Sequence, residues 1–388
     1  MREMVEAVSA VEGRLRRRLR ELVEVESPSD DSAAVNRAND LVVEWAAEMG
    51  AAVVRHPGGA GGAGDGKFGD VLEIRFGAAS EQRPVLVLGH LDTVWPMGTL
   101  ATMPWREVEA EDGVRLLGPG VLDMKAGVVM ALEAVAAVRE VKGELPRAVT
   151  LLLNPDEEAG SEVSREHTER LALESAAVLV LEPAQGLAYK TARKGVGHFE
   201  LRVEGVAAHA GVDFASGHSA VLEMAGMVEE ISSWTDLGHG RTVNVGVIAG
   251  GTRSNVIAAA CRAEIDVRVT TMEDAARVEA LFRGLRTRDV ACKLRVEGGI
   301  NRPPMERSEG TVALFKRAQV LAAEIGIDLQ EAATGGGSDG NFTAALGVPT
   351  LDGMGAVGGG AHAAHEYVLA GHLVERTAMI AGMLQAEL

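Results

Sequence analysis

Short runs of Val and Leu that do not alternate with polar residues constrain this chain more than any other feature of its sequence. They occupy residues 85–88, 149–153 and 177–181. Strands have this composition when helices cover both faces of their sheet. Helical patterns such as residues 126–138 lie between the runs. The alternation predicts an α/β fold with a mainly parallel sheet flanked by helices.

A different order of elements begins near Gly197. The patterns predict strand 198–203, helix 219–231, strand 242–249, strand 259–269, helix 273–285 and strand 292–296. This β-α-β-β-α-β order is that of a ferredoxin-like unit. After Arg302 the α/β pattern returns, with helix 311–324, strand 348–351 and helix 371–388. We therefore predict one domain in two parts, residues 1–190 and 301–388, around an inserted domain, residues 191–300.

Two helices are predicted before the first strand. Apolar residues at three- and four-residue steps indicate one amphipathic helix within residues 1–26, rather than a signal sequence. The second helix follows the capping residue Asp31 and ends at Gly50.

The glycine-rich residues 58–66 are predicted to form an exposed loop. They include Gly61 and Gly66 at the spacing of a nucleotide-binding P-loop. However, Phe68 stands where that motif needs Ser or Thr, and a strand-like run, residues 71–76, follows instead of a helix. Nucleotide binding is therefore a disfavoured alternative.

The charge balance argues against a nucleic acid partner. Lys and Arg number 38 against 56 Asp and Glu, and the net charge of −18 repels a polyanion. No apolar run approaches the roughly 18 residues of a membrane span. Cys261 and Cys292 stand alone, without the spacing of a thiolate zinc site or a disulfide framework. We therefore expect a soluble, cytoplasmic protein with no nucleic acid or membrane partner.

Imidazole and carboxylate side chains gather where the apolar runs end. They are His90 and Asp92 after the first run, Asp156, Glu157 and Glu158 after the second, Glu182 after the third, Asp123 before a helix, and His362 in a glycine-rich loop. Ligands bind beyond the carboxyl ends of strands in an open α/β sheet, so we expect these side chains to converge. Singly, each could be a loop hydrogen bond, a solvated acid or the end of a strand. Together, and without thiolate, they indicate a hydrolytic metal site with zinc favoured and manganese or cobalt possible.

The residue types suit a pair of cations. Two cations about 3.5–4 Å apart repel each other, so a carboxylate must bridge them and each needs terminal His or acid ligands. Asp123 is the natural bridge. Glu157 and Glu158 leave an extended backbone on different sides, so one can bind metal while the other acts as general base. Asp92, two residues after His90, is placed to accept the other N–H of that imidazole.

A series of motifs resembles those of the co-catalytic zinc exopeptidases. They are HLDTV from His90, GPGVLDMKAG from Gly118, DEEAGS from Asp156, LEP from Leu181, GVAAHAG from Gly205 and HAAHEYV from His362. The family includes glutamate carboxypeptidases, aminoacylases, acetylornithine deacetylases and succinyl-diaminopimelate desuccinylases. The stretch TGGGSDG from Thr334 resembles most closely the substrate loop of the glutamate carboxypeptidase branch.

The resemblance implies a role for each residue of the predicted metal site. It assigns His90 and Glu182 to one zinc, Glu158 and His362 to the other, Asp123 to both, Glu157 to the base and Asp92 to the orientation of His90. It also implies that residues 1–190 and 301–388 form a zinc-exopeptidase-like catalytic domain. Residues 191–300 would then form a lid and dimerisation domain.

The resemblance further implies a set of substrate contacts. These are His209, Asn255, Arg268, Gly337 and Ser338. His209 would reach the active site of a partner subunit and donate to the oxyanion, although a turn histidine is the alternative. The planar fork of Arg268 suits a carboxylate, but a salt bridge with Asp266 or Glu264 is an equal alternative. The chain departs from the usual residues of the family at His218 and His365.

The predicted function is that of a homodimeric amidohydrolase with two zinc ions that cleaves an amide bond next to a free carboxylate. The favoured interpretation is a carboxypeptidase that releases a C-terminal amino acid such as glutamate from N-acyl or peptide substrates. The alternative is an N-acyl amino acid deacylase of the acetylornithine deacetylase or succinyl-diaminopimelate desuccinylase type. An inactive metal-binding scaffold is more remote, because the base and all the ligand positions are present. An acidic substrate would need an arginine beside the metals, with Arg193, Arg268 and Arg302 as candidates.

Overall fold

The structure is a computed structural model in which residues 1–58, 66–77 and 82–386 are described. The chain divides into two compact units. The first unit comprises Met1–Ala192, Arg307–Ala333 and Ser338–Leu388, and the second comprises Arg193–Glu306 and Thr334–Gly337. Most of the predicted glycine-rich loop, residues 59–65, lies outside the described residues, as does the end of the predicted final helix, residues 387–388.

Beyond the N-terminal segment, the predicted strands and helices occur in the predicted order, together with further strands and helices that were not predicted. The described helices are α1 Arg2–Ala10, α2 Glu12–Val23, α3 Ser32–Glu48, α4 Ala126–Lys142, α5 Arg165–Glu174, α6 Ala220–Ser232, α7 Met272–Gly284, α8 Glu309–Ala323, α9 Gly340–Ala345 and α10 Leu373–Leu384. The described strands are β1 Ala52–His56, β2 Val71–Phe76, β3 Val85–His90, β4 Arg106–Ala110, β5 Gly113–Leu117, β6 Val149–Asn154, β7 Ala177–Val180, β8 Tyr189–Arg193, β9 Gly195–Glu204, β10 Thr242–Gly250, β11 Ala260–Val269, β12 Lys293–Arg302, β13 Glu331–Thr334, β14 Thr350–Leu351, β15 Gly358–Gly359 and β16 Tyr367–Leu369.

The main sheet of the first unit confirms the predicted α/β class. Its strand order is β1-β2-β6-β3-β7-β14. Strand β3 pairs in parallel with β6 and β7, and β14 pairs in parallel with β7, whereas β2 is antiparallel to both β1 and β6. Every residue of β3, β6 and β7 is buried. Burial on both faces explains why the apolar runs in the sequence do not alternate.

The N-terminal segment differs from the prediction, because two helices, α1 and α2, replace a single one. Val11 between them has φ −116° and ψ 12°, outside the helical region, so the chain turns there. The helix predicted after Asp31 is confirmed as α3. The Asp31 side chain accepts a hydrogen bond from the Ala34 N–H, and Gly50 beyond the helix end has φ +67°.

Helix α4 is buried around nearly its whole circumference, yet it contains a carboxylate. Glu133 is fully buried, and its oxygens accept hydrogen bonds from Arg14 and Arg18 of helix α2. Arg18 also pairs with Glu48 at 3.0 Å. The buried charge is therefore matched by arginines. Among the described residues, no helix has both the length and the apolar character needed to cross a lipid bilayer.

We expect Glu133→Gln to lower the free energy of unfolding by about 3 kcal/mol, because the change removes the buried carboxylate that Arg14 and Arg18 share and leaves Arg18 only its pair with the exposed Glu48. Denaturant titration measures this loss. Glu48→Gln is the matched control, because Glu48 pairs with the same Arg18 but has 62% of its side chain exposed. That control should lose less than about 1 kcal/mol. Equal losses in the two variants would contradict the proposed importance of burial.

The second unit has the predicted β-α-β-β-α-β order. Its sheet is wholly antiparallel, with the order β10-β11-β9-β12 that is typical of a ferredoxin-like unit. Alternate residues of β9 and β11 are buried in its core. There the rings of Phe199 and Phe282 stack with centroids 3.8 Å apart. Cys261 and Cys292 are buried and form no disulfide.

Candidate metal centre

The predicted metal ligands lie on loops at the carboxyl edge of the main sheet. His90 is the last residue of β3, and Glu182 follows β7 by two residues. Glu157 and Glu158 share a single helical turn, Glu157–Ala159, which begins three residues after the end of β6. The remaining predicted ligands are Asp123, in the irregular turn before α4, and His362, in the loop between β15 and β16.

Asp123 lies between two imidazoles. Its Oδ1 is 3.2 Å from Nε2 of His90, and its Oδ2 is 3.3 Å from Nε2 of His362. Each oxygen of one carboxylate thus faces a different histidine. This is the arrangement that a carboxylate shared by two cations requires.

Further carboxylates complete the cluster on both sides of Asp123. Glu182 Oε1 lies 3.8 Å from Nε2 of His90, and Glu158 Oε1 lies 3.0 Å from Nε2 of His362. Ligand atoms of His90, Asp123 and Glu158 fall within 4.8 Å of one another, as do those of His90, Glu157 and Glu182. Imidazole and carboxylate donors at these separations fit divalent cations such as zinc. Glu157, predicted as the base, is therefore also within reach of a cation.

Asp92 connects two of the ligand-bearing loops. Its Oδ1 and Oδ2 accept hydrogen bonds from the backbone N–H groups of Glu157 and Glu158, each at 3.1 Å. Ser29 donates to the same carboxylate at 2.6 Å. On the other side, Nδ1 of His90 is 3.0 Å from the Asp92 carbonyl oxygen and 3.4 Å from Oδ1. With Nδ1 engaged in this way, Nε2 of His90 faces the cluster.

Glu366 is a buried residue of the site that our sequence reasoning missed. Its carboxylate accepts hydrogen bonds from the backbone of the turn that carries Asp123 and from the Trp95 indole. The available signal was its place in the HAAHEYV motif, four residues after His362. Without knowledge of its partners, an acidic residue in a loop is most simply interpreted as exposed to solvent.

The carboxylates and imidazoles of the cluster shift one another's pKa values. Burial opposes ionisation of Asp123, but hydrogen bonds from His362 and His90 outweigh it and hold the pKa of that carboxyl well below its usual range. Burial also opposes a charge on His90, yet its bonds to Asp123 and Asp92 raise the pKa of that imidazole well above the ordinary value. Hydrogen bonds to Asp123 and Glu158 raise the pKa of His362 to about 10.

We expect cation uptake at pH 7 to release roughly one to two protons per chain, because a metal takes the Nε2 lone pair that a proton otherwise holds. His362, with a pKa of about 10, is protonated at pH 7 before the metal binds. The apparent affinity should therefore rise with pH. A pH indicator in weakly buffered solution measures the release. Unchanged release in His362→Ala would contradict this origin of the protons.

The predicted substrate residues divide between the two units. His209, Asn255, Arg268 and Gly337 belong to the second unit, and Ser338 belongs to the first. Ser338 is fully buried, and its hydroxyl donates to Asp352 at 2.7 Å. The structure thus gathers the predicted metal ligands into one cluster of the first unit, but it places most of the predicted substrate residues in another unit.

The second-unit residues contact other residues of the same unit. His209 is in a turn, where its Nδ1 accepts a hydrogen bond from the Gly211 N–H at 3.2 Å. The Arg268 guanidinium donates to Asp266, which is the salt bridge considered above. The Asn255 carbonyl accepts from the Ala210 N–H, the Gly337 carbonyl accepts from Arg193, and His218 pairs with Asp289 at 2.7 Å.

An imidazole and carboxylate cluster at the carboxyl edge of an α/β sheet is typical of a metal-dependent hydrolase. Comparison with known proteins agrees with this class. The model of Peptidase family M20/M25/M40 matches residues 86–386, and the chain belongs to that family. The chain is therefore a hydrolytic enzyme of the metallopeptidase and amidohydrolase type.

Individual relatives are similar over most of their length. Carboxypeptidase G2 from Pseudomonas sp. (strain RS-16) is 28% identical over 375 residues, which cover 94% of this chain and 87% of the relative. Acetylornithine deacetylase from Myxococcus xanthus is 28% identical over 268 residues, 66% of this chain and 68% of the relative. A dinuclear metal binding peptidase of the M20 family from Bacillus subtilis shares the fold, with a TM-score of 0.65 and 15% identity over 97% of this chain and 98% of its own.

Proposed function

We propose that this enzyme is a di-zinc carboxypeptidase that hydrolyses an amide bond next to a free carboxylate and releases a C-terminal amino acid such as glutamate. Manganese or cobalt would substitute for zinc. The observation that carries the proposal is Asp123, whose two oxygens face the Nε2 atoms of His90 and His362. The similarity to carboxypeptidase G2 supports the choice of reaction.

The proposed ligand sets follow the contacts within the cluster. His90 and Glu182 would hold one zinc, Glu158 and His362 the other, and Asp123 would contribute one oxygen to each. Bound zinc ions supply Lewis acidity, which polarises the scissile carbonyl and acidifies water. The protein fixes the donors beforehand, because Asp92 binds the backbone of the acid pair and the ring of His90.

Glu157 is the proposed base. Its carboxylate would accept a proton from the attacking water and later give that proton to the leaving amine. Its backbone N–H is bound by Asp92, so the short turn cannot rotate freely. His209 is proposed to donate to the oxyanion from a partner subunit.

Arg268 is the proposed site for the substrate carboxylate, together with Asn255, Gly337 and Ser338. We expect Arg268→Ala to raise KM roughly tenfold with little change in kcat, because a charged hydrogen bond is lost from ground and transition states alike. Steady-state kinetics on an N-acyl glutamate measures this. Arg202→Ala is the matched control, because Arg202 pairs with Glu200 two residues away as Arg268 does with Asp266. An unchanged KM in Arg268→Ala would contradict substrate binding by Arg268 and favour the salt bridge as its role.

A hydrolysis panel tests the substrate class. The enzyme is assayed with zinc, manganese or cobalt against dipeptides, N-acyl glutamates, N-acetylornithine and N-succinyl-diaminopimelate. We expect kcat/KM to be highest for substrates with a C-terminal glutamate. A preference for N-acetylornithine or the succinyl substrate would favour the deacylase alternative, which the similarity to acetylornithine deacetylase supports. No turnover with any metal would indicate the scaffold.

The proposed homodimer would form through the second unit. Within the described residues, β10 pairs only with β11 and leaves its other edge free. Val247 and Ile248 on this strand and Leu222 on α6 are exposed apolar residues. Free strand edges and exposed apolar side chains favour association. Sedimentation analysis measures the oligomeric state, and an activity assay is run at the same concentration. A protein that is monomeric and fully active would overturn both the dimer and the role of His209. A cytoplasmic location stays a prediction.

A further inference from the structure

The Glu366 carboxylate lies in the interior of the first unit, and hydrogen-bond donors occupy all of its acceptor sites. The side chain is fully buried. Its Oε1 accepts hydrogen bonds from the N–H groups of Leu122 and Asp123 at 2.8 and 3.0 Å. Its Oε2 accepts from the Gly120 N–H at 2.9 Å and from the Trp95 indole at 3.0 Å. Two oxygens with about four lone-pair sites thus receive four donors.

Strand pairing explains how this carboxylate reaches its partners. Strands β5 and β16 are antiparallel, with Leu117 opposite Tyr367. The chain leaves β5 into the turn that carries Asp123, while Glu366 directly precedes β16. The register of β5 and β16 therefore places Glu366 next to the turn that carries Asp123. A Cβ atom at Gly120, where φ is +69°, would lie 2.5 Å from a methyl carbon of Thr93, so the turn itself is closely packed.

Glu366 and its partners together belong to loops that carry three proposed metal ligands. The turn from Gly120 bears Asp123, whose own N–H is one of the donors. Trp95 lies in the loop that follows His90. Glu366 is four residues beyond His362, whose φ of +60° is a conformation that non-glycine residues rarely adopt.

We propose that Glu366 is a positioning residue that holds the loops of His90, Asp123 and His362 in the arrangement that binds both cations. The proposal rests on the metal centre of the proposed function. Glutamine cannot replace the carboxylate, because one of its two terminal groups is an NH₂ donor that would face N–H donors. Glu366→Gln would therefore release part of the Asp123 turn without removing any metal ligand.

Metal affinity measured by competition with a chelator tests the role of Glu366. We expect Glu366→Gln to bind zinc roughly 10–100-fold more weakly than the parent protein. The visible absorption of the cobalt-loaded protein should also change, because it reports the ligand geometry. Glu133→Gln is the matched control: it removes another fully buried carboxylate of the same unit, so it should lower thermal stability but leave metal affinity and the cobalt spectrum unchanged.

The outcomes separate this proposal from the proposed function. A parent protein that takes up no divalent cation overturns both. A parent that binds metal while Glu366→Gln binds it equally tightly overturns only the role of Glu366, even if that variant is less stable. If Glu366→Gln does not fold, Trp95→Phe is tested instead, because it removes the indole N–H that donates to Glu366 and keeps an aromatic ring. Weaker zinc binding by this variant supports the proposal, and unchanged binding overturns it.

Discussion

Glu157→Ala should lower kcat by roughly 10²–10⁴-fold while the protein retains its full metal content, because removal of a general base slows proton transfer but takes away no required ligand. Glu157 lies on a helical turn whose backbone is held by Asp92, so the substitution should leave the neighbouring Glu158 in place. Metal analysis of the purified variant and steady-state kinetics with the best substrate of the panel give both quantities.

The control for this variant is Glu162→Ala, which removes an exposed acid that follows the same turn. It should keep both its metal and its kcat. The assignment of Glu157 is open to a direct contradiction, because its ligand atom lies within 4.8 Å of those of His90 and Glu182. If Glu157→Ala loses metal as well as turnover, Glu157 is a ligand and the base must be sought elsewhere.

Glu158→Ala should bind one of its two cations, the one assigned to Glu158 and His362, at least roughly 100-fold more weakly than the parent protein. We expect activity to be lost together with that cation. Glu158 Oε1 is 3.0 Å from Nε2 of His362, and His362 has half of its side chain exposed. Without Glu158, this side of Asp123 would keep a single imidazole that solvent reaches easily. A bound cation would then lack its terminal carboxylate.

Titration of the metal-free Glu158→Ala protein with zinc measures the stoichiometry and both affinities. Glu157→Ala serves as the neighbouring control, since the two variants remove the same group from adjacent positions. Two cations bound by Glu158→Ala and one by Glu157→Ala would exchange the roles of the two acids. Equal metal loss in both would refute the division of labour between them.

Most of the fold was predictable because its signals are local. The apolar runs of β3, β6 and β7 are continuous since both faces of the sheet are covered, and that can be read without knowing the neighbouring strands. The division of the N-terminal segment into α1 and α2 was not predicted. Its apolar spacing continues across the break, so periodicity alone cannot detect the non-helical Val11.

The candidate ligands were also predictable, because His90, Glu158 and Glu182 lie at or just beyond strand ends, where polar residues break an apolar run. Their convergence was expected from the rule that ligands gather at this edge of a sheet. The contacts of Ser338 were not predictable, since its hydroxyl donates a hydrogen bond to Asp352 inside the first unit. A glycine-rich motif predicts a loop but does not specify which of its side chains are buried.

By itself, the order of residues determined which side chains stand at the carboxyl edge of the main sheet, because strand ends and their polar neighbours are adjacent in sequence. Tertiary structure alone decided what holds those side chains in place. Glu366 meets the Gly120 N–H across 246 positions, and Asp92 meets Glu157 across 65. Such contacts arise from strand register and loop packing, which bring together groups that no local pattern relates.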